Sequence, residues 1–71
     1  MKHNLKNIGR RIRQSRLDAK LPQKSLAKLA RVCQPNLSNY ERGMVEPSLP
    51  TIIRLAHVLG VPAMYLIGKD V

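Results

Sequence analysis

The sequence predicts an all-α domain, a compact bundle of five short helices. Three observations carry that prediction. Apolar residues recur at helical spacing in successive segments, proline and glycine punctuate the segment ends, and no stretch alternates between turn signals as a strand would. The chain has 71 residues, room for one domain spanning 1–71. Chains of this length bury only roughly 60% of their unfolded surface, so the core must be used efficiently.

Leu5, Ile8 and Ile12 form an i, i+3, i+7 stripe that predicts a first helix over residues 4–19. One further turn of the stripe lands on Arg16. An arginine facing inward either snorkels at the helix end or meets a carboxylate, and the chain offers only four: Asp18, Glu41, Glu46 and Asp70. Lys2, Lys6, Arg10, Arg13 and Lys20 gather beside the stripe on a helical wheel. "LPQKSLAKLA" predicts a second helix that starts at Pro22, where a missing N–H costs nothing, and buries Leu26, Ala27, Leu29 and Ala30.

Arg31, Val32 and Cys33 form a tight break before a third helix over residues 34–42, closed by Gly43. Leu37, Tyr40 and the aliphatic part of Glu41 fall on one face of it. Pro35, Asn39 and Arg42 fall on the opposite face, flanked by Asn36 and Ser38. "MVEPS" reads as a loop, with Ser48 the N-cap of a fourth helix whose stripe is Ile52, Leu55, Ala56 and Leu59. Gly60 stops that helix, Pro62 opens a last one over residues 62–67, and Gly68 ends it.

A formal charge of +9 points to a polyanionic partner: nucleic acid, an acidic membrane surface or an acidic protein. Ten of the 13 lysines and arginines lie in the first 31 positions, against one acid, Asp18. The two aromatic residues, Tyr40 and Tyr65, both sit in apolar patterns, which removes a stacking platform for unpaired bases. Cys33 is the single cysteine, so no internal disulfide forms, and it reads more simply as a turn residue than as a redox sensor. His3 and His57 stand too far from it in sequence for a zinc-ligand spacing. A reducing, cytoplasmic setting is expected, since no apolar run long enough for a signal peptide or membrane span is present. No paired carboxylates, no nucleophile with a base and no phosphate-binding glycine loop argue for catalysis. Neither cofactor nor metal nor small-molecule substrate is expected.

Asparagine and serine are weak helix formers, yet Asn36, Ser38 and Asn39 interleave with Leu37 and Tyr40 at helical spacing. Two helices joined by a three-residue turn, the second with an uncharged hydrogen-bonding outer face, make a helix-turn-helix. Base edges in the DNA major groove present the donors and acceptors such a face would meet. Asn39 and Gln34 can each pair bidentately with adenine, Asn36 or Ser38 can reach bases or phosphates, and Pro35 can touch a thymine methyl. An ordinary solvated helix face is the competing reading. Lys6, Arg10, Lys24 and Arg42 are the candidate phosphate contacts among the basic residues.

Over residues 8–68 the sequence resembles the lambda-repressor-like helix-turn-helix family, also called the Xre or Cro/C1 type. The resemblance is carried by "IGRRIRQSR", "LPQKSLAKLA", "NLSNYERG", "EPSLPTIIRLAHVLGV" and "YLIG", in that order and spacing. It implies a five-helix DNA-binding domain with helices 2 and 3 as the helix-turn-helix. It also implies that Gln34, Pro35, Asn36 and Asn39 face bases, that Gln23 binds a phosphate and braces Gln34, and that Arg16 and Glu41 form a buried salt bridge. Three positions depart from the family pattern. Arg31 stands where the family has glycine, so it either avoids the left-handed conformation or adopts it at about 1–2 kcal/mol. Cys33 replaces a Ser or Thr cap and is a weak acceptor, which shifts the helix start toward Gln34, and Pro35 is uncommon at its place.

One recognition helix reads too few bases to select a genomic site, so a homodimer on a palindromic operator is expected, its half-sites about 34 Å apart or a multiple of that. Val58, Val61, Pro62, Met64 and Ile67 are the candidate interface, with closure of the monomer core as the alternative use of the same residues. The expected role is a repressor, with activation by recruiting polymerase as the alternative, in a stand-alone regulator or in the DNA-binding domain of a longer one. Two alternatives are an antitoxin-type module that binds a partner protein as well as DNA, and a membrane-surface helix over residues 2–20. The second is disfavoured because the apolar stripe is needed for the core and lacks large aromatics.

Overall fold

In the computed structural model, which describes residues 4–68, the chain folds as α1 (Leu5–Asp18), α2 (Gln23–Ala30), α3 (Gln34–Glu41), α4 (Leu49–Leu59) and α5 (Ala63–Ile67). No strand occurs among the described residues. Lys2, His3 and Asp70, which entered the sequence argument, lie outside them.

The helix ends follow from their capping chemistry. Asn4 Oδ1 accepts from the backbone N–H groups of Lys6 and Asn7 at 3.0 and 3.2 Å, satisfying two donors of the first turn of α1. At the N-terminus of α4 the Ser48 hydroxyl lies 2.9 Å from Thr51 Oγ1 and accepts from the Thr51 N–H at 3.4 Å. Pro22 and Pro62 are caps rather than first helical residues, with ψ of 153° and 142°. Proline fixes φ but not ψ, so each proline precedes its helix as an extended residue.

Among the described residues, two that are not glycine occupy the left-handed region: Lys20, at φ 58°, and Arg31, at φ 60°. Lys20 lets the Leu21 N–H turn back onto the Arg16 carbonyl at 3.1 Å, and Arg31 lets Val32 do the same onto Ala27 at 2.9 Å. Arg31 therefore adopts the conformation that glycine would take without strain. Replacing it should relieve about 1–2 kcal/mol of strain while restoring roughly 0.5–1 kcal/mol of chain entropy to the unfolded state. Arg31→Gly is expected to raise the melting temperature by a few degrees, read by circular dichroism.

The core is built from one face of each helix. Ile8 and Ile12 of α1 meet Leu26, Ala27 and Ala30 of α2, Leu37 of α3, Ile52, Leu55, Ala56 and Leu59 of α4, and Leu66 of α5. Helix α1 packs against α3, α4 and α5, while α2 packs against α3 and α4. Leu29 corrects the sequence reading, being 59% exposed. Leu26, Ala30 and Ala27 span an arc of about 100° on α2, and Leu29 lies about 60° beyond its edge.

Val58, Val61 and Ile67 are half-buried against the core, whereas Pro62 and Met64 are exposed. The monomer thus covers part of the apolar surface that the sequence offered to a second copy.

Two arginines that the sequence reading left without a role tie elements together. Arg54 of α4 donates from Nε to the Ala30 carbonyl at 2.9 Å, closing the C-terminus of α2. Arg11 of α1 donates to the Tyr65 carbonyl at 3.3 Å, with its guanidinium 4.8 Å from the Tyr65 ring centroid.

Candidate nucleic-acid interface

Helix α3 is eight residues long and turns two different chemistries to its two sides. Leu37 is fully buried, with Tyr40 half-buried beside it, and these fix the inward face. Gln34, Pro35 and Asn36 are exposed and Asn39 is half-exposed on the other side. The helix begins at Gln34 with Cys33 as its N-cap, and no side-chain cap bond forms. That agrees with a thiol being a poor acceptor, and proline in the first turn partly compensates by presetting φ.

The predicted pair Arg16 and Glu41 forms. Arg16 Nε and NH2 donate to the two Glu41 carboxylate oxygens at 2.7 and 3.1 Å, and the side chains are only 11% and 4% exposed. The third guanidinium nitrogen, NH1, donates to the Leu21 carbonyl at 3.0 Å, which pins the turn between α1 and α2. Gln23 Nε2 donates to Glu41 Oε1 at 3.3 Å, and Gln34 Nε2 donates to Gln23 Oε1 at 3.4 Å. The brace between Gln23 and Gln34 is therefore present, and it continues inward to the ion pair. Asn39 Oδ1 accepts from Arg42 Nη2 at 2.8 Å.

The candidate phosphate contacts lie around this helix. Lys24 is exposed next to Gln23 in the first turn of α2, where backbone N–H groups lack helical partners. Lys6 runs beside the end of α3: a Cβ on Gly43, whose φ is +72°, would lie 2.9 Å from Lys6 Cα. Arg10 is exposed one turn further along α1, Arg42 is exposed at the end of α3, and Ser38 is half-buried.

Gly9 positions this arrangement, and the sequence reading assigned it nothing. A Cβ there would collide with the Tyr40 carbonyl oxygen and would stand 2.6 and 2.9 Å from the Glu41 carbonyl oxygen and carbon. The two helix backbones approach this closely only because residue 9 has no side chain. A glycine in the middle of an otherwise good helix is the available sequence signal.

A family model described as helix-turn-helix matches residues 12–66, from the middle of α1 to the end of α5. The chain belongs to the helix-turn-helix family. Among curated members it is 36% identical over 64 residues to the HTH-type transcriptional regulator ImmR of Bacillus subtilis, covering 90% of this chain and 50% of that one. The restriction-modification controller protein C.AhdI from Aeromonas hydrophila superposes with a TM-score of 0.84 at 32% identity, covering 87% of this chain and 94% of that one. The P22 c2 repressor in complex with a synthetic operator superposes at 0.83 with 32% identity, covering 89% and 96%. These helix-turn-helix structures share the lambda-repressor-like architecture described above. The chain spans about half the length of the curated relatives it matches.

Proposed function

We propose that this chain binds double-stranded DNA with α3 in the major groove and acts as a transcriptional repressor, as a homodimer on a palindromic operator. The observation that carries the reading is the outward face of α3. Gln34, Pro35, Asn36 and Asn39 stand there without a formal charge, on a helix whose opposite side is fixed by Leu37 and the Glu41 carboxylate. Arg42 borders this face only at the C-cap, whereas a solvated helix of a chain carrying +9 would be expected to display charge within the helix itself. Amides instead match the donors and acceptors of base edges.

Gln34, Pro35, Asn36 and Asn39 then read bases. Gln23, Lys24, Ser38, Arg42, Lys6 and Arg10 hold the phosphates, aided by the free N–H groups of α2. Each phosphate contact adds about 0.9 to the slope of log affinity against log salt. The exposed Pro62 and Met64, with the outer parts of Val58, Val61 and Ile67, form the contact between two copies. Occupation of an operator near a promoter excludes polymerase, in a cytoplasmic setting. The P22 c2 repressor bound to its operator and the name of ImmR support this reading.

Selection from a random duplex library at near-physiological salt, with wild type and Asn39→Ala in parallel, tests it. Wild type is expected to enrich a palindrome. Asn39→Ala should relax the preference at one position of each half-site by roughly 1–3 kcal/mol. Binding that only fades with salt, with no enriched sequence in wild type, would refute the proposal.

A further inference from the structure

We infer that Lys20 and Arg31 are two further phosphate contacts, held at the turns through which the chain enters α2 and α3. The inference deepens the proposed reading of DNA by these helices and rests on it.

All five helices close on a left-handed residue. After α3, α4 and α5 it is glycine: Gly43, Gly60 and Gly68, with φ of 72°, 71° and 90°. After α1 and α2 it is a cation, Lys20 at 58° and Arg31 at 60°. Glycine adopts this conformation freely and an L side chain adopts it with strain, so two long cations stand where folding alone favours glycine. Strain of this kind persists where a side chain is needed for binding.

The two positions share a setting. "AKLPQ" and "ARVCQ" place each cation three residues before a glutamine, Gln23 or Gln34, that begins the next helix. Three residues span at most about 10 Å, so each cation lies close to a helix start. When a helix-turn-helix docks, its first helix crosses the sugar–phosphate backbone and its second sets N-terminal residues on base edges. The turns of Lys20 and Arg31 lie at that boundary, while the turns after α3, α4 and α5 lead to no helix that faces DNA in this reading.

Capping does not account for the cations. In α1 the carbonyls of Ser15, Leu17 and Arg16 accept from the backbone N–H groups of Ala19, Lys20 and Leu21 at 3.0, 3.0 and 3.1 Å. In α2, Ala27 and Lys28 accept from the N–H groups of Val32 and Arg31 at 2.9 and 3.3 Å, and Ala30 accepts from Arg54 Nε at 2.9 Å. Both cations are exposed, and among the described residues neither is paired with a carboxylate. A helix C-terminus attracts positive charge, yet α5 closes on Gly68 with no basic residue in its last turn, so the dipole alone does not select a cation in this fold.

The test measures affinity against salt on the duplex that wild type enriches. The variants are Lys20→Gly, Arg31→Gly, their combination, and the charge-keeping Lys20→Arg and Arg31→Lys. Arg13→Gln, at an exposed cation of α1 outside the proposed contacts, controls for net charge. Each glycine variant should lower the slope of log affinity against log salt by about 0.9 per bound chain, and the combination by about 1.8. Between about 50 and 200 mM salt, each cation removed should make the loss of affinity about 3- to 4-fold smaller. The charge-keeping variants and Arg13→Gln should keep the wild-type slope. Melting midpoints of the glycine variants should be no lower than that of wild type, which separates a lost contact from lost folding. An unchanged slope in either glycine variant overturns the assignment of that residue, and a lowered midpoint beside it would make the cation a helix cap. A fall in Arg13→Gln as large as theirs would reduce the effect to net charge and overturn both assignments, while sequence reading by α3 stands. If wild type enriches no sequence, the reading of DNA fails and the inference falls with it.

Discussion

Gly9→Ala is expected to destabilise this domain by about 2–4 kcal/mol, although alanine is the better helix former. Intrinsic propensity favours the change by up to about 1 kcal/mol at a helix interior. Against it stands a methyl group placed on the Tyr40 and Glu41 carbonyls, backbone groups that cannot swing aside as a flexible side chain would. Overpacking costs typically 1–3 kcal/mol and more where backbones must separate, so the steric term wins. A domain of this size holds roughly 4–10 kcal/mol in total, and each kilocalorie moves the midpoint by about 4–8 °C. Thermal unfolding followed by circular dichroism should show a fall of 10 °C or more. An unchanged midpoint would mean that α1 and α3 can part without loss. The same substitution shifts Lys6 and Arg10 relative to α3, so DNA affinity should fall further than the unfolded fraction explains.

The second large effect belongs to the ion pair. Arg16→Met leaves the Glu41 carboxylate 4% exposed, with Gln23 as its one remaining side-chain donor. Breaking such a pair by removing one partner costs about 3–5 kcal/mol, mostly from stranding the other charge in a low-dielectric site. Arg16→Met combined with Glu41→Leu should recover most of that loss, because apolar residues of similar volume often replace a buried pair at little cost. Denaturant unfolding of the four-member cycle measures the coupling. A single-variant loss below about 1 kcal/mol would place the pair among solvent-screened surface bridges instead. The double variant also severs the Arg16 bond to the Leu21 carbonyl, so its recovery should stop short of wild type.

How much of this was legible in the sequence depended on whether one residue or two segments carried the information. Helix α4 makes three turns between Ser48 and Gly60, so the spacing of Ile52, Leu55, Ala56 and Leu59 located its face and the two capping residues located its ends. Arg16 was legible because a charge continued an apolar stripe. In α2, eight residues give only two turns, which locates the buried arc but not its width, and Leu29 fell just outside. Gly9 was visible as a glycine inside a helix, but what it approaches was opaque, because close approach is a property of two helices far apart in sequence. The left-handed Lys20 was equally hidden: it returns the Leu21 N–H to the Arg16 carbonyl at the end of α1, and lysine has no preference for that conformation. In the candidate site, the outward amides were readable from composition and spacing and the brace of Gln34 by Gln23 from the family resemblance, while the bond from Gln23 on to Glu41 emerged only from the fold.

Pro35 and Asn36 lie exposed on α3, and neither side chain hydrogen-bonds within the described residues. Replacing Asn36 should change stability by less than about 0.5 kcal/mol, and replacing Pro35, which presets φ in the uncapped first turn, by up to about 1 kcal/mol. Drift at these two sites therefore carries little folding consequence. Copies of this gene that duplicate and diverge can move apart in operator preference there, one substitution at a time, and so escape cross-talk without passing through an unstable intermediate.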